Sequence, residues 1–130
     1  MLLDTSGLLS ALDESDHLHG LSAELFPSSR PMATHDYVLA EFIPLAASRG
    51  LSRDQAISFV IELLENRFVE KYWVDEGLYR AALSLLRSRG DKTYSLCDAV
   101  SFVLMYRLGI TEALTTDRHF EQEGFVRLLR

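Results

Sequence analysis

The sequence predicts an α/β fold in which a central, mainly parallel sheet of about five strands lies between two layers of helices. Two observations support this prediction. Short apolar runs of strand length alternate along the chain with segments in which apolar residues recur at helical spacing. No internal repeat, low-complexity tract or Gly/Ser linker interrupts this alternation. At 130 residues, we expect one domain over residues 1–130.

The first half of the chain is predicted to begin with a strand at residues 1–3. Two helices with leucine faces follow, at Leu8, Leu9 and Leu12 and then at Leu18, Leu21 and Leu25. Pro27 ends the second helix. A short strand at 32–34 leads into a helix over 37–49, which Pro44 should kink because proline lacks an N–H donor.

The second half contains clearer helix boundaries. Ser52 and Gln55 form a capping box at the start of an amphipathic helix, and the strand formers of 68–74 follow. Asp75 caps the next helix. The segment 96–108 is apolar nearly all round, so it is predicted to be a buried central helix that ends at Gly109. The remaining elements are predicted as a strand at 113–116, a helix at 118–123 and a strand at 125–129.

Composition limits the classes of function. The net charge of −6 argues against a simple basic nucleic-acid binder, whose affinity comes from Lys and Arg. It does not argue against a nucleic-acid enzyme that carries its positive charge as metal ions. No apolar run approaches the roughly 18 residues of a membrane span, and the N-terminus lacks the features of a signal peptide. The single cysteine, Cys97, fits a reducing, cytoplasmic compartment.

Four acidic residues occupy positions where a parallel sheet presents ligands, beyond the carboxyl ends of its strands. Asp4 and Asp117 follow predicted strands, and Asp98 lies in the first turn of the buried helix. Glu41 lies on the helix after the second strand, among apolar neighbours. Each acid alone is explained as a helix cap or an exposed helix residue. Their occurrence at corresponding ends of several elements favours a shared site.

The stretches around these acids resemble one known family. MLLDTSGLLSAL contains Asp4, HDYVLAEF contains Glu41, YSLCDAVSFVLM contains Asp98, and EALTTDRHFEQEGF contains Asp117. In this order and at these separations, the stretches resemble the PIN domain, and especially the VapC-type toxins of bacterial toxin–antitoxin pairs. The resemblance covers essentially the whole chain and implies a PIN-like three-layer α/β/α sandwich. Cys97 stands where family members often carry Thr or another small residue.

The resemblance implies a metal-dependent endoribonuclease. Asp4, Asp98 and Asp117 would be direct ligands of Mg²⁺ or Mn²⁺, and Glu41 would be a ligand or would position water. Four carboxylates held close together repel one another, and divalent cations that prefer oxygen ligands relieve this repulsion. Such ions can bind the scissile phosphate and supply hydroxide, so no histidine base is needed. The expected reaction is hydrolysis of an RNA phosphodiester to 5′-phosphate and 3′-hydroxyl ends.

Further residues are weaker candidates. Ser6 and Thr116 are expected to hydrogen-bond the carboxylates or the phosphate. Arg118 follows Asp117 directly and would reach the phosphate. Arg80 and Arg87 lie seven residues apart on one predicted helix, so they share a face that could contact RNA.

The resemblance also implies partners. A separate small antitoxin would bind the chain and block the acidic site, and a homodimer is expected. The apolar residues at Leu18, Leu21 and Leu25 and the face of 52–65 are the predicted contact surface. Two alternatives stay open: a PIN-domain nuclease of RNA processing outside a toxin pair, and a catalytically weak binding module with a PIN fold.

Overall fold

The strands of the chain form one parallel sheet. The structure, a computed structural model, describes residues 1–26 and 30–130. Its strands are β1 (Leu2–Leu3), β2 (Met32–His35), β3 (Val69–Tyr72), β4 (Glu112–Leu114) and β5 (Val126–Arg127). The sheet order is β3-β2-β1-β4-β5, and each of its four pairings is parallel. The predicted fold class is therefore confirmed.

Seven helices are present in the described part of the chain. They are α1 (Thr5–Leu12), α2 (His19–Leu25), α3 (Asp36–Ser48), α4 (Arg53–Glu65), α5 (Glu76–Ser88), α6 (Leu96–Leu108) and α7 (Arg118–Gln122). These bounds agree with the sequence prediction to within a few residues. Helix α3 is assigned as one helix through Pro44. Pro27, the expected end of the second helix, lies outside the described residues. No helix in the described ranges has the length and apolar character to cross a membrane.

Helices cover both faces of the sheet. Leu3 packs into a core with Leu8 of α1 and Val38 of α3, whereas the neighbouring Leu2 packs with Phe102 of α6 and Phe120 of α7. Successive side chains of a strand point to opposite faces, so these two clusters lie on opposite sides of the sheet. This arrangement gives the predicted three layers.

Helix α6 is the central helix that its composition predicts. Its residues from Cys97 to Met105 are all buried. Ser95 caps the helix in a reciprocal capping box with Asp98, and Gly109 ends it in the left-handed conformation, with φ of 68°. The capping box fixes Asp98 at the beginning of the helix, beside the carboxyl ends of the strands.

A close approach of α1 to β4 depends on Gly7. A Cβ atom at this position would lie 2.0 Å from the carbonyl oxygen of Leu114. On the other side of the helix, the Ser22 hydroxyl of α2 donates to the Gly7 carbonyl at 2.9 Å. The first turn of α1 is therefore held tightly against the end of β4, and this contact brings Asp4 close to the residues that follow β4.

Candidate active site

The four predicted acids line one cavity at the carboxyl edge of the sheet. Its volume is about 460 Å³, and Asp4, Glu41, Asp98 and Asp117 all contribute to its wall. The other lining residues are Thr5, Ser6, Leu45, Thr93, Ser95, Thr116 and His119. Residues from both ends of the sequence therefore meet here because parallel strands β1, β2 and β4 end at the same edge.

Asp4 does not serve as a helix cap. It occupies the N-cap position of α1, but its side chain makes no capping hydrogen bond. Its Oδ2 instead accepts a hydrogen bond from Thr115 Oγ1 at 2.7 Å, and Ser6 Oγ lies 3.5 Å from the same atom. The ordinary structural explanation for this acid therefore fails, and its carboxylate is held toward the cavity.

The environment of Asp4 disfavours its charge. Its pKa is raised from 3.8 to about 7; burial is the largest cause, and the nearby carboxylates of Asp98 and Asp117 act in the same direction. The hydrogen bond from Thr115 acts in the opposite direction. A carboxylate held at such cost is better explained by a cation that binds it than by a role in stabilising the fold.

Asp98 and Asp117 each combine capping with an oxygen that is left over. Asp98 Oδ2 accepts from the backbone N–H of Ser95 at 3.0 Å, and Asp117 Oδ1 accepts from the backbone N–H of His119 at 2.9 Å. Within the ranges that the structure describes, Asp98 Oδ1 and Asp117 Oδ2 have no hydrogen-bond partner. Capping fixes both side chains, and the remaining oxygens are available to a ligand.

His119 is a member of the site that the sequence reasoning missed. Its Nδ1 lies 2.8 Å from Asp98 Oδ2 and 3.5 Å from Asp117 Oδ1, and its Nε2 lies 3.2 Å from Thr93 Oγ1. Asp98, Asp117 and His119 each offer a ligand atom within 4.8 Å of the others, a grouping that could hold a metal ion. Asp4 and Glu41 line the same cavity but do not belong to this triple.

The hydrogen bonds of His119 favour a supporting role. A neutral imidazole protonated on Nδ1 donates to Asp98 and accepts from the Thr93 hydroxyl, which satisfies both ring nitrogens. The Tyr94 ring packs against the imidazole edge to face, with 5.3 Å between the ring centres. In this state His119 orients a carboxylate, as second partners of metal ligands commonly do.

Glu41 lies at the exposed side of the cavity. It is accessible to solvent on α3, and its Oε2 lies 3.5 Å from the Thr5 hydroxyl. Burial together with the nearby carboxylates of Glu41, Asp4 and Asp98 raises the pKa of the Cys97 thiol. Cys97 is therefore a neutral thiol that packs in the core as expected.

The hydroxyl groups around Asp4 differ in part from the expectation. Ser6 contacts Asp4 as described above, and its Oγ also lies 3.2 Å from Thr115 Oγ1. The strong hydrogen bond to Asp4 comes from Thr115 rather than from Thr116. The backbone N–H of Thr116 donates to Ser6 Oγ at 3.0 Å, and this residue lines the cavity. Thr115 and Thr116 are adjacent at the end of a strand that is covered on both faces, so the sequence does not indicate which of them contacts Asp4.

The candidate RNA-contact arginines lie in different places. Arg80 is exposed on α5 and pairs with Glu76 at 2.8 Å, and Arg87 is exposed on the same helix. Neither lines the acidic cavity. Arg118 lines a second cavity, which shares Thr116 with the first. Of the three arginines, only Arg118 therefore borders a cavity that adjoins the site.

The chain combines a parallel α/β sandwich with acidic side chains that converge at the carboxyl edge of its sheet. This combination is typical of a class of nucleases in which carboxylates form the active site. A family model for the PIN domain matches residues 1–125, and the chain belongs to this family. The chain is 30% identical over 129 residues to the 23S rRNA-specific endonuclease VapC20 of Mycobacterium tuberculosis, a match that covers 98% of the chain and 97% of the relative.

Solved structures agree with this result. The crystal structure of Mycobacterium tuberculosis VapC20, a sarcin–ricin loop cleaving toxin, matches with a TM-score of 0.87 and 28% sequence identity. The match covers 99% of this chain and 98% of the VapC20 chain. The resemblance predicted from the sequence is therefore confirmed, and the expected activity class, a VapC-type endoribonuclease, is the one that the relative's name states.

Proposed function

We propose that this chain is a metal-dependent endoribonuclease, and that it acts as the toxin of a VapBC-type toxin–antitoxin pair. The observation that carries the proposal is the convergence of Asp4, Glu41, Asp98 and Asp117 in one cavity of a PIN fold. A relative of nearly equal length is an endonuclease, which supports the same activity here. The proposed reaction is hydrolysis, in which a water molecule activated by the metal ion attacks the phosphorus.

The residues of the cavity fit Mg²⁺ or Mn²⁺. Asp4, Asp98 and Asp117 would hold the ion through carboxylate oxygens, the ligands that these hard cations prefer. The buried charge of Asp4 and the free oxygens of Asp98 and Asp117 support this assignment. When bound, the ion supplies Lewis acidity at the scissile phosphate and lowers the pKa of water. His119 would orient Asp98 by donating from Nδ1.

Two protein groups would then have distinct tasks. Asp4, fixed by Thr115, anchors the site next to the end of β1. Glu41 lies on the open side, where its carboxylate can accept a hydrogen bond from the attacking water and hold it in line with the phosphorus. The attack breaks the bond to the 3′ oxygen, which leaves 5′-phosphate and 3′-hydroxyl ends.

The substrate proposed first is ribosomal RNA. VapC20 is named as specific for 23S rRNA and as a toxin that cleaves the sarcin–ricin loop. The match extends over nearly the full length of both chains, so the surfaces around the cavity have counterparts in the relative. A toxin that cuts ribosomal RNA would act in the cytoplasm, in agreement with the single buried thiol of Cys97.

The proposed partners are a cognate antitoxin and a second copy of the chain. The apolar surface predicted for these contacts includes side chains that the structure leaves exposed. Leu21 of α2 is 40% exposed, and Ile57 and Ile61 of α4 are 38% and 48% exposed. An antitoxin side chain that blocks the acidic cavity would be basic, since arginine pairs with carboxylates in a bidentate way.

The proposal is tested by cleavage of RNA by the purified chain. The substrates are a hairpin with the sarcin–ricin loop, a hairpin with a scrambled loop and an unstructured RNA. Each is incubated with Mg²⁺, with Mn²⁺ and with chelator, and with the variants Asp4→Asn and Asp98→Asn. We expect metal-dependent cleavage of the sarcin–ricin hairpin that both variants abolish, with 5′-phosphate ends on the product.

Other outcomes would change the assignment. Metal-dependent cleavage without preference for the sarcin–ricin hairpin would keep the nuclease and remove the proposed substrate. A chain that binds Mn²⁺ but cuts none of these RNAs, nor intact ribosomes, would favour the binding module. A nuclease whose expression does not slow growth of its host would favour a role in RNA processing outside a toxin pair.

A further inference from the structure

A second cavity beside the acidic site is lined by arginines. Its volume is about 440 Å³, and Arg49, Arg118, Arg127 and Arg130 contribute to its wall. Thr116 lines both cavities, and Asp117 and Arg118 are consecutive residues. A chain of net charge −6 therefore gathers four of its 13 basic residues immediately next to its acidic centre.

Three of these arginines are held in place. Arg49 pairs with Asp16 at 2.7 Å, while Arg127 and Arg130 share Glu121 at 3.1 and 2.6 Å. Two carboxylates thus hold three guanidinium groups, and these arginines keep N–H donors that the ion pairs do not use. Fixed guanidinium groups around an open space lose little freedom when they bind an anion.

Arg118 differs from the other three arginines because, in the part of the chain that the structure describes, none of its side-chain donors is used. Among residues 1–26 and 30–130, its side chain makes no ion pair and no hydrogen bond. It lies at the first position of α7, where the backbone fixes the start of its side chain. Arg127 Nη1 donates to the Thr116 carbonyl at 3.0 Å, so the cavity is also tied to the segment that bears Asp117.

We propose that the arginine cavity binds a backbone phosphate of the RNA strand next to the phosphate that is cut. This inference rests on the proposed function, since it assigns the contact that holds the substrate of the acidic cavity. An RNA strand that leaves the acidic cavity past Thr116 brings its neighbouring phosphate to the arginines. The planar guanidinium group offers two parallel N–H donors, which match two phosphate oxygens.

RNA fits this position better than an acidic protein segment does. The two cavities share Thr116 and are lined by side chains of opposite charge, and metal loading makes the acidic part attractive to phosphate. A polyanion with regularly spaced charges can occupy both parts at once. An acidic segment of a protein could also pair with the arginines. The proposed substrate, however, already places a phosphate in the acidic cavity, and this brings its next phosphate to the arginines.

The test measures RNA binding without turnover. Binding of a short fluorescein-labelled RNA is followed by anisotropy with Mg²⁺ in the Glu41→Gln background, over a series of salt concentrations. This background keeps the three proposed metal ligands and removes the residue that is proposed to hold the attacking water. Arg118→Ala should weaken binding about tenfold, as expected for a hydrogen bond to a charged group. It should also reduce the slope of log affinity against log salt by about 0.7, the value for one phosphate contact on a single strand.

Two further variants and a control keep the result interpretable. The RNA affinity of Arg118→Lys should lie between those of the Arg118 chain and Arg118→Ala, because lysine keeps the charge but lacks the paired N–H donors of the guanidinium group. Arg118→Glu should bind RNA most weakly. A glutamate at the first position of a helix is favourable, so this variant is expected to fold. Arg107→Ala is the control: this exposed arginine lies nine residues beyond Asp98 on α6, about 14 Å along the helix axis.

In active chains, Arg118→Ala should raise KM for RNA and leave kcat at saturating RNA unchanged, as loss of uniform binding does. The inference would be overturned if Arg118→Ala bound RNA with the same affinity and the same salt slope as the control Arg107→Ala. Binding of poly-glutamate that depends on Arg118, with RNA binding that does not, would also overturn it and assign the cavity to an acidic protein segment. If the unmodified chain cuts no RNA but Arg118→Ala still weakens RNA binding, the cavity is assigned correctly and the proposed function fails.

Discussion

Asp4→Asn should stabilise the metal-free protein at alkaline pH although it removes a proposed metal ligand. Asp4 is 7% exposed, and the pKa of its carboxyl is raised from 3.8 to about 7, mainly by burial. Each tenfold change in proton affinity corresponds to about 1.4 kcal/mol, so ionised Asp4 costs the folded state about 4 kcal/mol as an upper limit. Asparagine keeps the shape and still accepts the hydrogen bond from Thr115.

The effect has a defined pH dependence. Below pH 3.8 the carboxyl is protonated in both the folded and the unfolded states, so it contributes no difference in stability. Between pH 3.8 and about 7 the unfolded state loses the proton first, and the metal-free folded state becomes progressively less stable. Above about pH 7 the cost is complete. The stability difference between Asp4→Asn and the unmodified chain should therefore grow over this window and then level off.

Urea unfolding in chelator between pH 4 and pH 8.5 measures this difference. Asp54→Asn, which changes an exposed acid in the first turn of α4, is the control for the same substitution outside the cavity. Addition of Mg²⁺ should stabilise the unmodified chain and have little effect on Asp4→Asn. If Asp4→Asn is less stable than the unmodified chain at pH 8.5 in chelator, or if the difference is constant with pH, the buried charge of Asp4 is not a cost to the fold.

Three further predictions concern the residues around this acid. Thr115→Val removes the hydrogen bond that stabilises the Asp4 carboxylate, so the affinity for Mn²⁺ should fall about tenfold at neutral pH. The affinity should recover at higher pH, where Asp4 ionises without this bond, and calorimetry at two pH values measures the fall and the recovery. His119→Gln should lower the affinity for Mn²⁺ by about 10- to 100-fold through loss of orientation at Asp98, and unchanged affinity would exclude this role. Gly7→Ala should lower the free energy of unfolding by about 3 kcal/mol or more, seen as a large fall in melting temperature, because the new Cβ would meet the Leu114 carbonyl. Gly20→Ala is the control and should be nearly neutral, because open space surrounds Gly20.

The sequence was sufficient to predict where the acids meet because chain direction alone determines the edge of the sheet at which they lie. Parallel strands end at one edge, so acids that follow β1 and β4 must lie near each other. The capping box of Ser95 and Asp98 is local and was visible in the sequence, and it fixes the third acid. For Asp98, capping and placement in the site prove compatible, because capping uses only one of its two carboxylate oxygens.

Other parts of the site depend on packing that local pattern does not determine. His119 reaches Asp98 because α7 packs against α6 and the Tyr94 ring, and no spacing rule predicts that contact. The arginine cavity brings together residues as far apart in sequence as Arg49 and Arg127. Arginines are usually exposed, and no periodic pattern in the sequence indicates that these two lie together. Such features follow from how helices pack on the sheet, and they require the three-dimensional structure.

If the acidic cavity binds a divalent metal ion that is required for RNA cleavage, metal binding and activity must rise together. Titration of Mn²⁺ into one preparation, with Mn²⁺ binding and RNA cleavage followed at each concentration, tests this dependence. We predict that the two curves coincide, that Asp98→Asn loses both binding and cleavage, and that Asp54→Asn keeps both. Cleavage that continues in chelator, or that Asp98→Asn retains at the same rate, would contradict the requirement for a metal ion in this cavity.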